Sequence, residues 1–202
     1  MAFIAPMLAT EGKPPIGQDW AFEFKWDGYR AIAEVAGGQL RLYSWPGNNI
    51  TSSYPEIGGL PTLIGDHSAI FDGELVALDD QGTPQLARIQ RRHNATPRTA
   101  LLRAFPVSYY VFDVLELDGE PLLRERYQRR RELLRELGLA DESKRVVVTP
   151  SFTAPVDGAT LLTVARVHGL EGVVSKRLGS IYKPGRRSPA WIKTKVATEA
   201  FQ

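Results

Sequence analysis

The sequence predicts a fold of mixed α and β structure in which strands outnumber helices. Short runs rich in β-branched and aromatic residues recur along the chain and end at turn signals such as Gly37-Gly38 and Leu117-Asp118-Gly119. Helical periodicity is clearest in one place, residues 124–137. The chain has 202 residues, 43% hydrophobic and 24% charged, which is enough for one substantial core or two small lobes.

Eight segments are predicted as strands from their apolar content and the turns that close them. Gly37-Gly38 is a plausible hairpin turn between the second and third strands, and turn-forming residues also occur at 46–49 and 79–82. In chain order the predicted strands are residues 20–25, 29–35, 39–44, 69–78, 107–117, 146–148, 172–175 and 190–195.

Three helices are predicted, over residues 84–92, 124–137 and 158–168. The second has an apolar stripe and is followed by Gly138, a typical helix stop. Its arginine run, 129–131, alternates with glutamates as on a solvated helix face, so we assign the run no function.

The composition excludes several classes of protein. With no cysteines, the chain has neither disulfides nor a thiolate metal site and fits a reducing, cytoplasmic location. The first ten residues lack the basic start of a signal peptide, and no stretch approaches the roughly 20 apolar residues of a membrane span. The three histidines are scattered, and the net charge of +2 neither favours nor excludes nucleic acid.

Lys25 is the first candidate for chemistry. It lies between apolar neighbours in Phe24-Lys25-Trp26 and is followed at once by Asp27, Gly28 and Arg30. A lysine in a mostly apolar pocket can act as a nucleophile. The alternative is a strand that runs into a turn with two chance charges, and the rest of the chain decides between the two.

Four further segments follow Lys25 at a characteristic spacing. They are 71–74 (Phe-Asp-Gly-Glu), 110–113 (Tyr-Val-Phe-Asp), 171–176 (Glu-Gly-Val-Val-Ser-Lys) and 191–195 (Trp-Ile-Lys-Thr-Lys). With Lys-x-Asp-Gly-x-Arg at the front, the set resembles the motifs of the covalent nucleotidyltransferases: ATP-dependent DNA ligases, RNA ligases and mRNA capping enzymes. Residues 6–9 and 182–188 make the chain similar to the adenylation domain of bacterial ATP-dependent DNA ligases of the ligase C and ligase D type.

The resemblance implies an α+β nucleotidyltransferase core of two antiparallel β-sheets flanked by helices, with a central ATP cleft. Lys25 would attack the α-phosphorus of ATP and form a lysyl-AMP phosphoramidate, and AMP would then pass to the 5′-phosphate of nicked double-stranded DNA during break repair. Attack requires the neutral amine, which nearby Lys193, Lys195 and a divalent cation would favour by like-charge repulsion.

The resemblance also implies roles for the other site residues. Glu74 and Glu171 would bind Mg²⁺ or Mn²⁺ and the ribose, since such ions prefer one or two carboxylates together with phosphate and water. Lys193 and Lys195, which alternate on one face of a strand, would bind the α-phosphate. The base would stack on Phe112 and pack against Val173 or Val174, and its amino group would donate a hydrogen bond to Glu23. Arg30 would contact ribose or phosphate. Asp27 would orient the loop that follows Lys25.

Two departures from the family pattern change what we expect. The relatives carry a Ser-Arg pair after the third strand, whereas here Ser44 is followed by Trp45 and position 49 is Asn, so we expect weaker nick recognition. The relatives also continue into an oligonucleotide-binding (OB) fold domain. This chain ends at Gln202, so we expect an adenylation domain over residues 1–202 without that barrel, slow self-adenylation and poor nick sealing.

Other functions stay open on the sequence. An RNA ligase shares the first step and differs in contacts to the 2′-hydroxyl, which the sequence does not reveal. A capping enzyme would use GTP, which Glu23 and the segment 182–188 argue against. A non-catalytic nucleotide- or DNA-binding module is the alternative from another class. Bacterial end-joining repair proteins are expected partners, with the protein close to the nucleoid and away from membranes.

Overall fold

The computed structural model describes residues 3–93, 95–139 and 141–197. Its ten strands and five α-helices alternate irregularly along the chain. The strands are β1 (Leu8–Glu11), β2 (Trp20–Lys25), β3 (Tyr29–Ala36), β4 (Gln39–Ser44), β5 (Ala69–Ala77), β6 (Val107–Leu117), β7 (Glu120–Pro121), β8 (Val146–Val148), β9 (Gly172–Arg177) and β10 (Arg187–Lys195). The helices are α1 (Leu60–Ile64), α2 (Leu86–Gln90), α3 (Thr99–Ala104), α4 (Tyr127–Glu136) and α5 (Gly158–Val167).

The strands form two sheets. The first has the order β1-β10-β9-β2, and the second has the order β4-β3-β5-β6-β7 with β8 also paired to β6. The expected α+β architecture of two sheets with flanking helices is confirmed. The pairing is antiparallel except at β1 with β10 and β8 with β6, which are parallel, so the expectation of purely antiparallel sheets needs this correction.

All eight predicted strands are present, and their ends shift by up to three residues. β1 was not predicted, because a four-residue edge strand with the sequence Leu-Ala-Thr-Glu has weak β propensity and is fixed by its pairing to β10. The predicted helix 158–168 corresponds to α5, whose first turn is capped by Asp157, the side chain of which accepts from the Thr160 backbone N–H at 2.7 Å. None of the described helices is long and apolar enough to cross a membrane.

Three apolar clusters hold these layers together. The largest lies on one side of the second sheet and includes Leu60 of α1, Ile89 of α2 and Leu134 of α4. Another packs α5 on β2 and β9 through Phe22, Leu161, Ala165 and Val173. The third, the intersheet cluster, joins residues of both sheets: Met7, Ile32, Ile70, Phe112, Leu115, Tyr182 and Trp191.

A buried carboxylate joins the two sheets beside the intersheet cluster. Asp72 on β5 is fully buried and accepts from Arg30 Nε at 2.5 Å and Nη2 at 2.7 Å. It also accepts from the Tyr182 hydroxyl at 2.6 Å, and Tyr182 precedes β10 in the first sheet. The charge is thus fully paired, as burial requires.

The arginine run of α4 is not a solvated face, and this expectation is wrong. Only Arg129 is exposed and pairs with helix glutamates. Arg130 is fully buried and makes a bidentate pair with buried Asp113, at 2.7 and 2.8 Å. Arg131 donates to the carbonyl oxygens of Phe112 and Thr149, at 3.0 and 2.7 Å. Arg130 and Arg131 therefore bind α4 to β6 by hydrogen bonds.

Candidate active site

A cavity of about 290 Å³ opens between the two sheets. The period of two along a strand decides much of the lining, since alternate residues reach the cavity from β9 (Val174 and Lys176) and from β10 (Trp191 and Lys193). Its lining residues are Leu8, Ala9, Glu23, Phe24, Lys25, Trp26, Arg30, Trp45, Glu74, Phe112, Val174, Lys176, Arg187, Trp191 and Lys193. Six of the nine predicted site residues are among them: Glu23, Lys25, Arg30, Glu74, Phe112 and Lys193.

Lys25 and Lys195 converge on Glu171 because of strand register. Gly172 on β9 is paired with Lys25 of β2 on one side and with Lys195 of β10 on the other. Glu171 immediately precedes Gly172, so its carboxylate lies between the two lysines. It forms an ion pair with Lys25 Nζ through one oxygen and lies 3.5 Å from Lys195 Nζ through the other.

Two motif glycines allow this close packing. A Cβ on Gly172 would lie 2.0 Å from the Thr194 carbonyl oxygen, inside β10. A Cβ on Gly28 would lie 2.2 Å from the Leu75 carbonyl oxygen, inside β5. Because real Cβ atoms cannot come so close to backbone, any larger residue would push the strands that carry Lys25 and Glu171 away from their neighbours.

The lysines at this end of the cavity, the phosphate end, are only partly buried. Lys193 Nζ lies 3.1 Å from Glu11, and this contact lowers the pKa of the exposed Glu11 carboxyl. The Lys25 and Glu171 side chains are each 23% exposed, and that of Lys195 is 59% exposed. Each cation therefore already has an internal carboxylate partner that a bound anion could replace.

Two further carboxyls near Lys25 have raised pKa values. Burial raises the pKa of Glu74 to about 8, and repulsion from Asp72 and Glu171 adds to the rise. The cations Arg30 and Lys25 oppose it. The pKa of Asp27 is also raised by burial and by Glu171, while the Lys25 ammonium and the Leu86 backbone N–H at the start of α2 oppose the rise.

Glu23 lies at the opposite end of the cavity, the base end, and is 3% exposed. Its Oε1 accepts from the Tyr127 hydroxyl of α4, and its Oε2 accepts from Lys176 Nζ at 2.7 Å. The Lys176 ammonium also lies 4.3 Å from the Phe112 ring centre and 4.4 Å from that of Trp191. Burial lowers the pKa of Lys176, and the pairing with Glu23 opposes this shift.

Phe112 forms part of the cavity wall and is 8% exposed. The Arg30 guanidinium lies 4.5 Å from its ring centre, and the Lys176 ammonium is equally close. Stacking of a base on this ring would require one of the two cations to move aside. Arg30 itself reaches the cavity, but its Nε and Nη2 are held by Asp72, so only Nη1 has no hydrogen-bond partner among the described residues.

Of the two valines expected against the base, Val174 lines the cavity and Val173 does not. Val173 is fully buried against α5 with Phe22 and Leu161. Val174, one position on, lines the cavity. Successive residues of a strand point to opposite faces, and the apolar run of β9 gave no indication of which valine faced inward.

Trp45, at the position where the family resemblance implies an arginine, is 54% exposed on the rim of the cavity. It also lines an adjoining cavity together with Ser44, Asn48, Asn49 and His93. Asn49 is turned toward the backbone, where its Oδ1 accepts from the N–H and hydroxyl of Thr51 at 3.0 and 2.8 Å.

The carboxylates fit a divalent ion that takes most of its ligands from elsewhere. Among the described residues, no group of three or more His, Asp or Glu side chains forms a metal cage. Glu74 and Glu171 interact electrostatically across Lys25, which provides a pair of acids at the phosphate end. Two carboxylates completed by phosphate oxygens and water is a typical environment for Mg²⁺.

A lysine, two acids and a base-sized pocket between two sheets are features of nucleotidyl transfer, and sequence comparison identifies the family. Residues 6–195 match the sequence model described as the ATP dependent DNA ligase domain. The chain belongs to this ligase family. The match takes in all five motif segments as well as the strands that carry them.

Relatives within the ligase family include proteins of bacteria and archaea. The chain is 41% identical over 194 residues to the multifunctional non-homologous end joining DNA repair protein LigD of Mycobacterium tuberculosis. The alignment covers 95% of this chain and 24% of that protein. A DNA ligase of Thermococcus onnurineus is 34% identical over 209 residues, which cover 97% of this chain and 36% of the relative. The chain thus spans about a quarter to a third of the length of these ligases.

Solved structures of ligases agree with the fold. The ligase domain of M. tuberculosis LigD superposes with a TM-score of 0.81 at 41% identity, over 95% of this chain and 60% of that one. A mycobacterial DNA ligase D complexed with ATP and MES has a TM-score of 0.82 at 40% identity, with the same coverage.

Three residues that lie at the cavity or bond its lining residues were missed in the sequence. Tyr127 belongs to the helix predicted with an apolar stripe and was given no role, although a buried tyrosine needs a partner for its hydroxyl, which was the available signal. Lys176 ends a motif segment, yet the predicted strand stopped at Ser175. Asp72 was quoted only as part of a motif, and the Arg30 pairing that its burial imposes depends on a contact between β3 and β5.

Proposed function

We propose that the chain is the adenylation domain and catalytic core of an ATP-dependent DNA ligase that uses Lys25 as its nucleophile. The observation that supports this most strongly is the convergence of Lys25, Glu171 and Lys195 at one end of a cavity whose other end carries a buried acceptor, Glu23. Phosphates and a purine base fit those two ends by charge and hydrogen-bonding capacity.

In the first step the Lys25 amine attacks the α-phosphorus of ATP. The Nζ–P bond forms, the bond from that phosphorus to the bridging oxygen breaks, and pyrophosphate leaves with the electron pair. Before ATP binds, the Lys25 amine is held by Glu171 in an ion pair. Entry of the triphosphate near Lys193 and Lys195 would compete for these cations and free the carboxylate to receive the amine proton.

The rest of the cavity orients ATP. The adenine amino group would donate to Glu23, with the base between Phe112 and Val174. Arg30 Nη1 is available to a ribose or phosphate oxygen. Lys193 and Lys195 would contact the α-phosphate, which is a positioning effect worth several orders of magnitude in rate.

A divalent ion would be held by Glu74 and Glu171. When bound, Mg²⁺ or Mn²⁺ neutralises charge on the phosphate oxygens. The protein's own contribution is the pair of acids and their position across Lys25. Because Glu74 has a raised pKa in the metal-free protein, metal binding would release a proton near neutral pH.

The later steps use DNA. A 5′-phosphate oxygen at a nick attacks the lysyl-bound phosphorus and the Nζ–P bond breaks, which leaves AMP on the DNA end. The 3′-hydroxyl then attacks the 5′-phosphorus and AMP departs. Since LigD is named for non-homologous end joining, we place the reaction in bacterial break repair with end-joining proteins as partners, on the nucleoid.

The test is the intact mass of the purified protein before and after incubation with ATP and Mg²⁺. We expect a mass gain of one adenylate that is labile to acid, present in a control with the exposed Lys13 replaced by alanine, and lost in Lys25→Ala. Absence of any adduct from the wild-type protein, with ATP at millimolar concentration, would contradict the proposal. Transfer from the adduct to nicked DNA or nicked RNA then identifies the polynucleotide.

A further inference from the structure

A chain of hydrogen bonds crosses the wall at the base end of the cavity. The Ser151 and Tyr127 hydroxyl oxygens are 3.0 Å apart, and Tyr127 in turn bonds Glu23 Oε1. Because a carboxylate only accepts, Tyr127 must donate to Glu23, and Ser151 must donate to Tyr127. Lys176 donates to the other oxygen of Glu23 at 2.7 Å.

This chain of hydrogen bonds fixes the direction of the Glu23 carboxylate. Tyr127 is fully buried and Glu23 and Lys176 are 3% and 2% exposed, so water cannot replace either donor. Burial also raises the pKa of Tyr127 well above its ordinary value, which keeps the proton on its hydroxyl. One donor on each oxygen prevents the carboxylate from rotating about its terminal bond.

Direction matters because a carboxylate by itself does not distinguish adenine from guanine. It can accept from the 6-amino group of adenine, but a carboxylate free to turn can instead accept from N1–H and the 2-amino group of guanine. When the carboxylate is held in one orientation toward the purine 6-position, it lies opposite a donor, the 6-amino group, in adenine. In guanine it lies opposite an acceptor, O6. Two acceptors repel each other, so the guanine nucleotide binds more weakly.

We propose that Tyr127 is a positioning residue: by donating a hydrogen bond to Glu23, it holds the carboxylate in the one orientation that favours adenine. The inference rests on the proposed function of the cavity as a nucleotide site. It adds a residue that determines base specificity without touching the nucleotide. This residue, Tyr127 on α4, acts on the base only through Glu23.

The experiment compares binding of the α,β-methylene analogues of ATP and GTP by calorimetry, because these analogues cannot transfer their α-phosphate to Lys25. In Tyr127→Phe, which keeps the ring and removes the hydroxyl, we expect the ratio of the GTP-analogue Kd to the ATP-analogue Kd to fall about tenfold, as for a hydrogen bond to a charged group. Ser151→Ala should lower the ratio less.

The matched control is Tyr109→Phe. Tyr109 is also fully buried, but its hydroxyl donates to carbonyl oxygens of Ala31 and Phe71, in the second sheet and without contact to Glu23. We expect this change to leave the Kd ratio unaltered. A second control is Glu23→Ala, in which the added Tyr127→Phe change should no longer move the ratio, because Tyr127 has no side chain left to orient at position 23.

The outcomes separate this inference from the proposed function. An unchanged Kd ratio in Tyr127→Phe, an equal fall in Tyr109→Phe, or a fall that persists in the Glu23→Ala background would each overturn the inference. If the wild-type protein binds neither analogue, both ideas fail. If it prefers the ATP analogue through Tyr127 yet forms no lysyl adduct, only the ligase proposal is lost.

Discussion

The two ends of the cavity hold their charges in different ways. At the base end, Glu23 and Lys176 are buried and paired to each other, and the neighbouring Arg130–Asp113 pair is fully buried. At the phosphate end, Lys25, Lys193 and Lys195 are partly exposed and paired with carboxylates at the surface or near it. Buried pairs are rigid and costly to break, whereas partly exposed ones exchange readily. The base end is therefore organised before ATP arrives, and the phosphate end is arranged to exchange partners.

The largest effect is expected from breaking a pair behind the base end. Arg130→Met leaves the Asp113 carboxylate buried without its bidentate partner, which should lower the free energy of unfolding by about 3–5 kcal/mol. The measurement is urea denaturation, with Arg129→Met on the exposed face of the same helix as control. A loss below 1 kcal/mol in Arg130→Met would show that this end is not rigidly held by charge.

A smaller effect, on rate alone, is expected at the phosphate end. Glu171→Gln removes the charge that holds Lys25 and Lys195, so we expect lysyl-adenylate formation to slow by about 100-fold. Stability should change by less than about 0.5 kcal/mol, since the pairs are partly exposed. Single-turnover labelling with ATP measures the rate, and Glu11→Gln, which frees only Lys193, should slow it less. If Glu171→Gln were destabilised as well as slow, the charges at the phosphate end would be structural like those at the base end, and the two ends would not differ.

The pKa of Glu74 predicts a pH-dependent effect on stability. The folded protein holds this proton up to about pH 8, whereas the unfolded chain releases it near 4.5, so the metal-free protein should lose stability as pH rises through that window. Glu74→Gln mimics the protonated acid and should be more stable than wild type at pH 8 by about 2 kcal/mol, allowing for partial exposure, with no difference at pH 4. Denaturation in EDTA at both pH values measures this, and an equal difference at the two would refute the assignment.

The smallest effect is expected at the rim. Trp45→Arg introduces the cation that the family resemblance implies at this position, so sealing of nicked DNA should become a few times faster because a phosphate gains a partner. Self-adenylation should not change. The measurement is the rate of sealing with DNA already adenylated at the nick, with Trp45→Gln as the uncharged control; a rate that is the same or lower in Trp45→Arg would dismiss the idea.

Most of the fold could be predicted from patterns of neighbouring residues in the sequence. All eight predicted strands lie where turn residues and β-branched runs placed them, because both signals act within a few residues. β1 and the parallel pairing of β8 depend instead on partners far along the chain, which no local pattern contains. The arginine run failed for the same reason: alternation with glutamate is typical of an exposed helix face, and only the contact with Asp113 reveals that Arg130 is buried.

The site was predicted by residue type better than by orientation. The spacing of the motifs correctly brought Lys25, Glu171 and Lys195 together, since strand register makes them meet around Gly172. Val173 and Val174 could not be told apart from the sequence, because both are apolar and the run gives no sign of which face of the strand lines the cavity. Tyr127 and Asp72 act by way of other side chains, and a sequence gives no direct sign of such contacts.

The position of Asp72 has a mechanical consequence for the cleft. Through Tyr182 it links the second sheet to the first, next to the packed intersheet cluster. The sheets are linked again where Tyr127 of α4 bonds Glu23 of β2, since α4 is bonded to β6 by Arg130. Because these cross-links are all buried, widening of the cleft to admit a substrate or release a product would be greatest beside the partly exposed lysines.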